Sequence, residues 1–350
     1  MSGVLDPQAA RVITMRDAIT SALTAEMERD PSVVVIGEDV AGGDGMAAYE
    51  GKGSMGGVFG VTKGLVERFG RNRVMDTPLA ESAIMGTAIG AAAAGLRPVV
   101  ELMFVDFLGT CLDQIYNQGA KMRYMSGGQI SVPLVIRTTY GGGISAGAQH
   151  SGCHYSVFAH FPGIKVVVPS TPADAQGLLR AAIRDDDIVV FFEHKATYAQ
   201  VGPAPETDAI IELGTSEVKR TGDDVTVVGI GRTVMIALDA AEMLAAEGID
   251  CEVVDLRSIV PLDMPTLERS VRKTGRLVFV DEDSPRCSVA TDVVALLCQA
   301  LFGELRAAPR LVLPPNVPVP FAPELEGAYQ PSAAAVMAAV RVAVSEGGRA

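Results

Sequence analysis

The chain has little of what would mark it for nucleic acid, the cell surface or a membrane. Lys and Arg number 29 against 42 Asp and Glu in 350 residues, a formal net charge of −13. A chain so short of positive charge is repelled by phosphate backbones and anionic lipid, and is compatible with basic partner domains. Cysteines number five (Cys111, Cys153, Cys251, Cys287 and Cys298), an odd count with no CxxC pair. Neither a disulfide frame nor a zinc ribbon is therefore expected, and a reducing compartment is. Long hydrophobic runs are also missing. The one long uncharged stretch, Ser82 to Leu96, is 15 mostly small residues, too short and too weakly apolar to span a bilayer. The opening MSGVLDPQAARVITMRD lacks the basic-then-apolar order of a secretion signal, so a cytoplasmic location is expected. Short internal repeats and low-complexity tracts are missing as well.

What is there is a well-packed α/β pattern. Hydrophobic residues make up 48% of a chain long enough for two domains. Short continuous apolar runs (VVVIGED, RPVVELMF, VPLVIRTTY, KVVVPS, IVVFFEH) alternate with helical segments, among them Thr14 to Glu28, Asp106 to Met125 and Pro172 to Arg184. Such runs separated by helices indicate a mostly parallel sheet covered on both faces. A linker with Pro203 and Pro205 follows. VTVVGIG, CEVVDL, RLVFVDE and RLVLPP then repeat the alternation, with a Pro-rich tail read as extended chain before a last helix from Ser332. The fold class is α/β with two doubly wound, mostly parallel-sheet domains: residues 1–200, a linker at 201–212, and residues 213–345.

Within the first domain, the segment VMDTPLAESAIMGTAIGAAAAGLRPVVELMFVDF (Val74 to Phe107) isolates one carboxylate, Glu81, at the mouth of an Ala/Gly helix. Two roles are open to it. A carboxyl among small and apolar residues can keep a proton near neutrality and serve as an acid or base. Alternatively, with Thr77 as N-cap and Pro78 as first helical residue, Glu81 simply complements the helix dipole. Gly86, Gly90 and Gly95 each cost about 1 kcal/mol against Ala inside a helix, which points to close approach of another backbone, intrachain or from a partner.

Other motifs are weaker. VGIGRTV (Val228 to Val234) begins like a dinucleotide fingerprint, but Val234 stands where the third glycine is needed for close helix packing. His150, Cys153, His154 and His160 cluster without a second ligand pair at zinc spacing. His150 follows a Gly/Ala loop and is either a proton donor at a cleft or a hydrogen-bonded structural histidine. Asp185, Asp186 and Asp187 end a helix, as a solvated turn or as oxygen ligands for a hard cation.

Taken together, GEDV, DTPLAESA, GLRPVVELMFVDF, GAQHS, HFPGIKVVVPSTPADAQGLL, AIRDDD, FFEHK and DEDSPRCSVATD resemble one family over about residues 12–340. It is the beta subunit of the thiamine diphosphate-dependent first component of 2-oxo acid dehydrogenase complexes, with the acetoin dehydrogenase type closest. The resemblance implies a transketolase-like pyrimidine-binding domain joined to a transketolase C-terminal-like domain. It implies that Glu81 hydrogen-bonds the cofactor's aminopyrimidine and favours its imino tautomer, and that Met103 and Phe107, read as one helical turn apart, pack against that ring. His150 matches the family's active-site histidine, with a part in reductive acylation of lipoate, and Glu38 an acid in a cofactor-linked proton network. It further implies a structural potassium ion held near Leu134, Ala182, Ile183, Asp185 and Asp187, the last standing where Asn is common.

One family motif has no counterpart. Thiamine diphosphate enzymes bind magnesium and diphosphate through GDG followed by Asn-Asn. Here Gly43-Asp44-Gly45 lies in a Gly-rich loop, 26 residues separate Gly45 from Asn72, and Arg73 replaces the second Asn. The resemblance assigns that half of the site to an alpha subunit in an alpha2-beta2 heterotetramer, which makes the Gly-rich helix an interface helix and leaves the isolated chain inactive. A lipoyl-bearing acyltransferase core is the further partner implied. The alternative is a non-catalytic, beta-like scaffold recruiting that core, for which Glu81 and His150 would be unnecessary; a nicotinamide oxidoreductase stands third, disfavoured by Val234.

Overall fold

The computed structural model describes residues 12–43, 55–205 and 209–346. Its first sheet has seven strands in the order Ser258–Val260, Ile164–Val167, Ile188–His194, Val135–Tyr140, Arg97–Phe104, Val33–Gly37 and Val74–Asp76. All neighbours in it are parallel except the first pair. Val33–Gly37 and Ile188–His194 are buried along their whole length, as a sheet covered on both faces requires. The second sheet runs Arg310–Val312, Leu277–Val280, Val225–Gly229, Cys251–Asp255 and Glu217–Arg220, the last antiparallel. The expected class of two mostly parallel α/β domains is therefore the observed one.

Several features depart from the sequence reading. Val201–Pro203, placed in the linker, is a strand paired with Val12–Thr14. Ser258–Val260, placed in the second domain, closes the edge of the first domain's sheet through Ser258 opposite Val167. The Pro-rich tail, read as extended, forms a helix at Pro323–Tyr329. Proline fits the first helical position, where its missing N–H is no loss.

Helices Met15–Arg29 and Pro172–Arg184 cover one face of the first sheet, the second held at its start by a capping box between Thr171 and Asp174. On the other face one cluster of buried side chains runs from Met85, Leu102 and Tyr155 through Val168 to Ile230, Leu256 and Phe279. The apolar core thus crosses from one domain to the other. The second glycine of VGIG lies on this seam. Gly231 has φ 53°, and a Cβ there would overlap Tyr140 Oη and sit 2.9 Å from Val168. The space a dinucleotide's pyrophosphate would need is occupied by the first domain, while Val234 is fully buried in the helix behind.

Candidate active site

In a parallel sheet, residues just beyond the carboxyl ends of the strands converge on one crevice. Glu38 follows Val33–Gly37, Glu81 opens the helix reached from Val74–Asp76, and Phe107 ends the turn after Arg97–Phe104. The Gly141–His150 loop follows Val135–Tyr140, and Lys195 follows Ile188–His194. Parallel topology therefore gathers Glu38, Glu81, Phe107, the 141–150 loop and Lys195 at one end of the sheet.

Glu81 is the first residue of helix Glu81–Ala93, and Ala80 occupies the cap position without a side-chain hydrogen bond. This corrects the expected start at Thr77 and Pro78. The chain stays non-helical to Ala80, with the Thr77 N–H bonded to Gly37 O at 3.0 Å. The Glu81 carboxylate is half-buried and accepts a hydrogen bond from Thr110 Oγ1 at 3.2 Å. Thr110 also donates to Phe107 O at 2.8 Å, tying the acid to the segment that carries the ring. Glu38 is buried, and its carboxyl is pushed up by desolvation and then by the charges of Glu81, Glu101 and Asp39. The same neighbourhood raises the buried Cys111 thiol to about 12, through burial and the charge of Glu81, so this cysteine is no nucleophile.

Phe104, Phe107 and His150 form an edge-to-face cluster. The imidazole lies 4.6 Å from the Phe104 ring and 5.6 Å from that of Phe107, both at 81°. Met103 is buried at the strand's end, with its carbonyl accepting from Thr139 Oγ1 at 2.6 Å. Met103 and Phe107 are not a helical turn apart, because the strand runs to Phe104 and a 3-10 turn follows. Phe104 was missed in the sequence for that reason, since strand geometry gives adjacent residues opposite faces.

Lys195 was missed too. Its ammonium is buried, donates to Gly141 O at 2.6 Å and lies 5.6 Å from the Phe104 ring centre. Burial pulls its pKa down to about 8, against the restraining charges of Asp106, Glu282, Cys153 and Glu326. Behind the site, Arg137 makes a two-pronged bond to Glu193 at 2.6 and 2.7 Å and reaches Glu101 at 3.0 Å. The Glu101 carboxyl is pushed up mainly by burial. The one sequence signal for this network was the presence of charged residues inside otherwise apolar strands.

The acids at 185–187 lie elsewhere, at the opposite, amino-terminal end of Ile188–His194. Lys165 Nζ binds both Asp185 oxygens at 2.8 and 2.7 Å, and Arg123 reaches Asp187 at 2.6 Å. Arg97 donates to Asp186 at 2.6 Å, to Ile183 O at 3.2 Å and to Asp185 O at 2.9 Å. Leu134 O accepts from Val189 N and Ala182 O from Asp185 N. Lys165, Arg123 and Arg97 thus pair with the three carboxylates. Among the described residues there is no group of three His, Cys, Asp or Glu that could hold a metal ion.

Asp44 and Gly45 lie outside the described residues. Arg73, in place of the second Asn, donates to the carbonyls of Met27, Asp30 and Val33 at 2.6 to 3.1 Å, so it braces a strand. Two orphaned hydroxyls flank the site residues in the chain: Thr77 Oγ1 before Glu81, and Ser151 Oγ after His150, both buried without a partner. A half-buried carboxylate, an apolar aromatic wall and unpaired hydroxyls together fit the aminopyrimidine half of thiamine diphosphate.

Residues 11–200 match the transketolase pyrimidine-binding domain, and residues 214–336 the transketolase C-terminal domain. The acetoin:2,6-dichlorophenolindophenol oxidoreductase subunit beta of Cupriavidus necator is 53% identical over 97% of this chain and 99% of that protein. The Bacillus subtilis protein of the same name is 51% identical over 92% and 94%. The 2-oxoisovalerate dehydrogenase subunit beta of Bacillus subtilis is 44% identical over 94% and 98%. Among solved structures, a split-gene transketolase described as an inactive beta4 tetramer has 26% identity and a TM-score of 0.73, over 96% of this chain and 100% of that one.

Proposed function

Because this chain belongs to the transketolase-like family of acetoin and 2-oxo acid dehydrogenase beta subunits, we propose that it supplies the aminopyrimidine side of a thiamine diphosphate site shared with an alpha subunit. The observation that carries this reading is the meeting of Glu81, Phe104, Phe107 and His150 at the carboxyl edge of the first sheet. The bound cofactor supplies an electron sink at its thiazolium ring, and the protein supplies orientation and protons. Glu81 would hydrogen-bond the aminopyrimidine through its carboxyl group, Met103 and Phe107 would cover its face, and the buried acid Glu38, whose carboxyl is pushed up partly by the charge of Glu81, limits where negative charge can reside. The imidazole of His150, held edge-on by two phenyl rings, presents a nitrogen to the substrate and then to a lipoyl acceptor on the complex's core.

Acetoin is the substrate to try first, because the acetoin-type relatives stand at 53% and 51% identity and the 2-oxoisovalerate and pyruvate types at 44% and 42%. An alpha partner is supported by the missing diphosphate half and by the exposed small face of helix Glu81–Ala93. There Ala83, Thr87 and Gly90 point outward, and nothing lies within 4 Å of a Cβ built at Gly90. Gly86, by contrast, serves an internal contact with Gln114. The scaffold alternative lacks support, since the relatives named above are oxidoreductase and dehydrogenase subunits. Domain limits of 1–200 and 213–345 are retained as proposals, with Ser258–Val260 lent to the first sheet.

The test is co-expression with an alpha chain, followed by dye reduction with acetoin, pyruvate and branched 2-oxo acids. Glu81→Gln is expected to lower kcat by roughly 10²- to 10⁴-fold, the range of a lost proton-transferring group. The beta chain alone is expected to be inactive. Undiminished turnover in the variant, or turnover by the lone chain, would sink the reading. A potassium ion near residue 185 remains a subsidiary proposal, resting on the second lone pair of each carbonyl. It calls for a higher melting temperature in potassium than in tetramethylammonium chloride at equal ionic strength, and equal values remove it.

A further inference from the structure

The loop that leads to His150 is held by the second domain. Glu326, on helix Pro323–Tyr329, is only 4% exposed. One of its oxygens accepts from the Gly143 N–H at 2.8 Å, and the other from the Ser145 N–H at 2.9 Å and the Ser145 hydroxyl at 3.4 Å. Bonds from backbone amides to a carboxylate are charge-assisted and about twice as strong as neutral ones. They hold a strained conformation, because Ser145 has φ 54°, a left-handed position unfavourable for a residue other than glycine.

Neighbouring contacts come from the same direction. Gly142 lies so close to the Gln330 amide that a Cβ would overlap it, and a Cβ at Gly147 would touch the Phe321 ring at 3.4 Å. Gln330 in turn accepts from Arg232 at 2.6 Å. Arg232 also binds Glu282, and Glu282 binds His194 at 2.7 Å. The far end of the loop turns back on itself, with the His150 N–H bonded to Gly147 O at 3.3 Å. Phe321, Glu326 and Gln330 therefore form a three-point cradle for residues 142–147, immediately before the imidazole.

We propose that Glu326 is a positioning residue for His150: it holds the strained loop in the conformation that sets the imidazole edge-on to Phe104 and Phe107. This rests on the reading of His150 as the site histidine. Glutamine at position 326 keeps the shape and one acceptor but loses the charge and the second acceptor. In the alpha–beta enzyme, Glu326→Gln is expected to lower kcat for acetoin-dependent dye reduction roughly 10- to 100-fold, the scale of a small misplacement of a reacting group. KM should be unchanged, and amide hydrogen exchange should speed up in the peptide covering 142–150. Adding Ser145→Gly, which takes the left-handed conformation without strain, is expected to restore part of both. A role in stability alone predicts a lower melting temperature with unchanged kcat per folded enzyme, and that result overturns the proposal. So does unchanged exchange in 142–150. His150→Ala separates the two layers. Wild-type turnover there overturns the reading of the histidine, and the proposal with it. Impaired turnover there beside normal turnover in Glu326→Gln overturns the proposal alone.

Discussion

At the scale of single residues, the site is made by burial acting on charge. Lys195 is the plainest case, since its desolvated ammonium sits at about 8 against an ordinary 10.5. Between those values the unfolded chain keeps a proton that the folded chain has lost, so this group makes stability rise with pH across that window. Lys195→Met should remove the rise. The difference between the urea midpoints of wild type and variant should change between pH 8 and 10.5 and be flat below, and a pH-independent difference would contradict the assignment. Glu81 was legible because a lone acid in an Ala/Gly helix is chemically conspicuous, and His150 because a Gly/Ala loop precedes it. Lys195 and Phe104 were not, because a lysine after FFEH and a phenylalanine ending a strand look like ordinary boundary and core residues. Their roles arise from neighbours such as Gly141 and His150, which are distant in sequence.

At the scale of elements, helices were easier to read than the strands at sheet edges. The helix read at about Pro172 to Arg184 is observed at Pro172–Arg184, where Thr171, Pro172 and Asp174 form a capped start. Glu217–Arg220 was missed because a half-buried edge strand of sequence EVKR carries no apolar run. Helix Pro323–Tyr329 was hidden by the prolines around it. Packing of the two helices behind the first sheet depends on one buried acid. Glu26 is fully buried and bonded to Arg29 at 2.6 Å, Arg180 at 3.0 Å and Arg184 at 2.7 and 2.9 Å. Burial alone would raise its pKa, but the bonds from Arg184, Arg29 and Arg180 bring it down to about 2. A carboxylate so depressed stabilises the fold above its unfolded value of 4.5, and that contribution fades as pH falls from 4.5 toward 2. Glu26→Gln should therefore cost about 3–5 kcal/mol at neutral pH, as breaking a buried ion pair does. Urea unfolding would show the gap to wild type narrowing below pH 4.5; a constant gap would refute the mechanism.

At the scale of the whole molecule, the alternation of strands and helices revealed two α/β units but not how closely they are joined. The join depends on contacts between residues far apart in the chain: Tyr140 against Gly231, Glu326 on the 143–145 loop, Tyr155 bonded to Asp281. Periodicity is a local signal and carries none of these. The lent strand Ser258–Val260 has a practical consequence for anyone who divides the chain. Cutting at the proline-bearing linker strips the first domain of its outermost strand and bares the unpaired amides and carbonyls of Ile164–Val167, a template for self-association. A fragment ending near residue 205 should elute as aggregates in size-exclusion chromatography, and a monomeric fragment would show the edge to be harmless. Supplying residues 256–262 as a separate peptide should reduce the aggregation that the open edge causes. The natural seam for dissection is thus not where the sequence is thinnest, and a half-protein built for binding studies has to carry seven residues borrowed from beyond its own end.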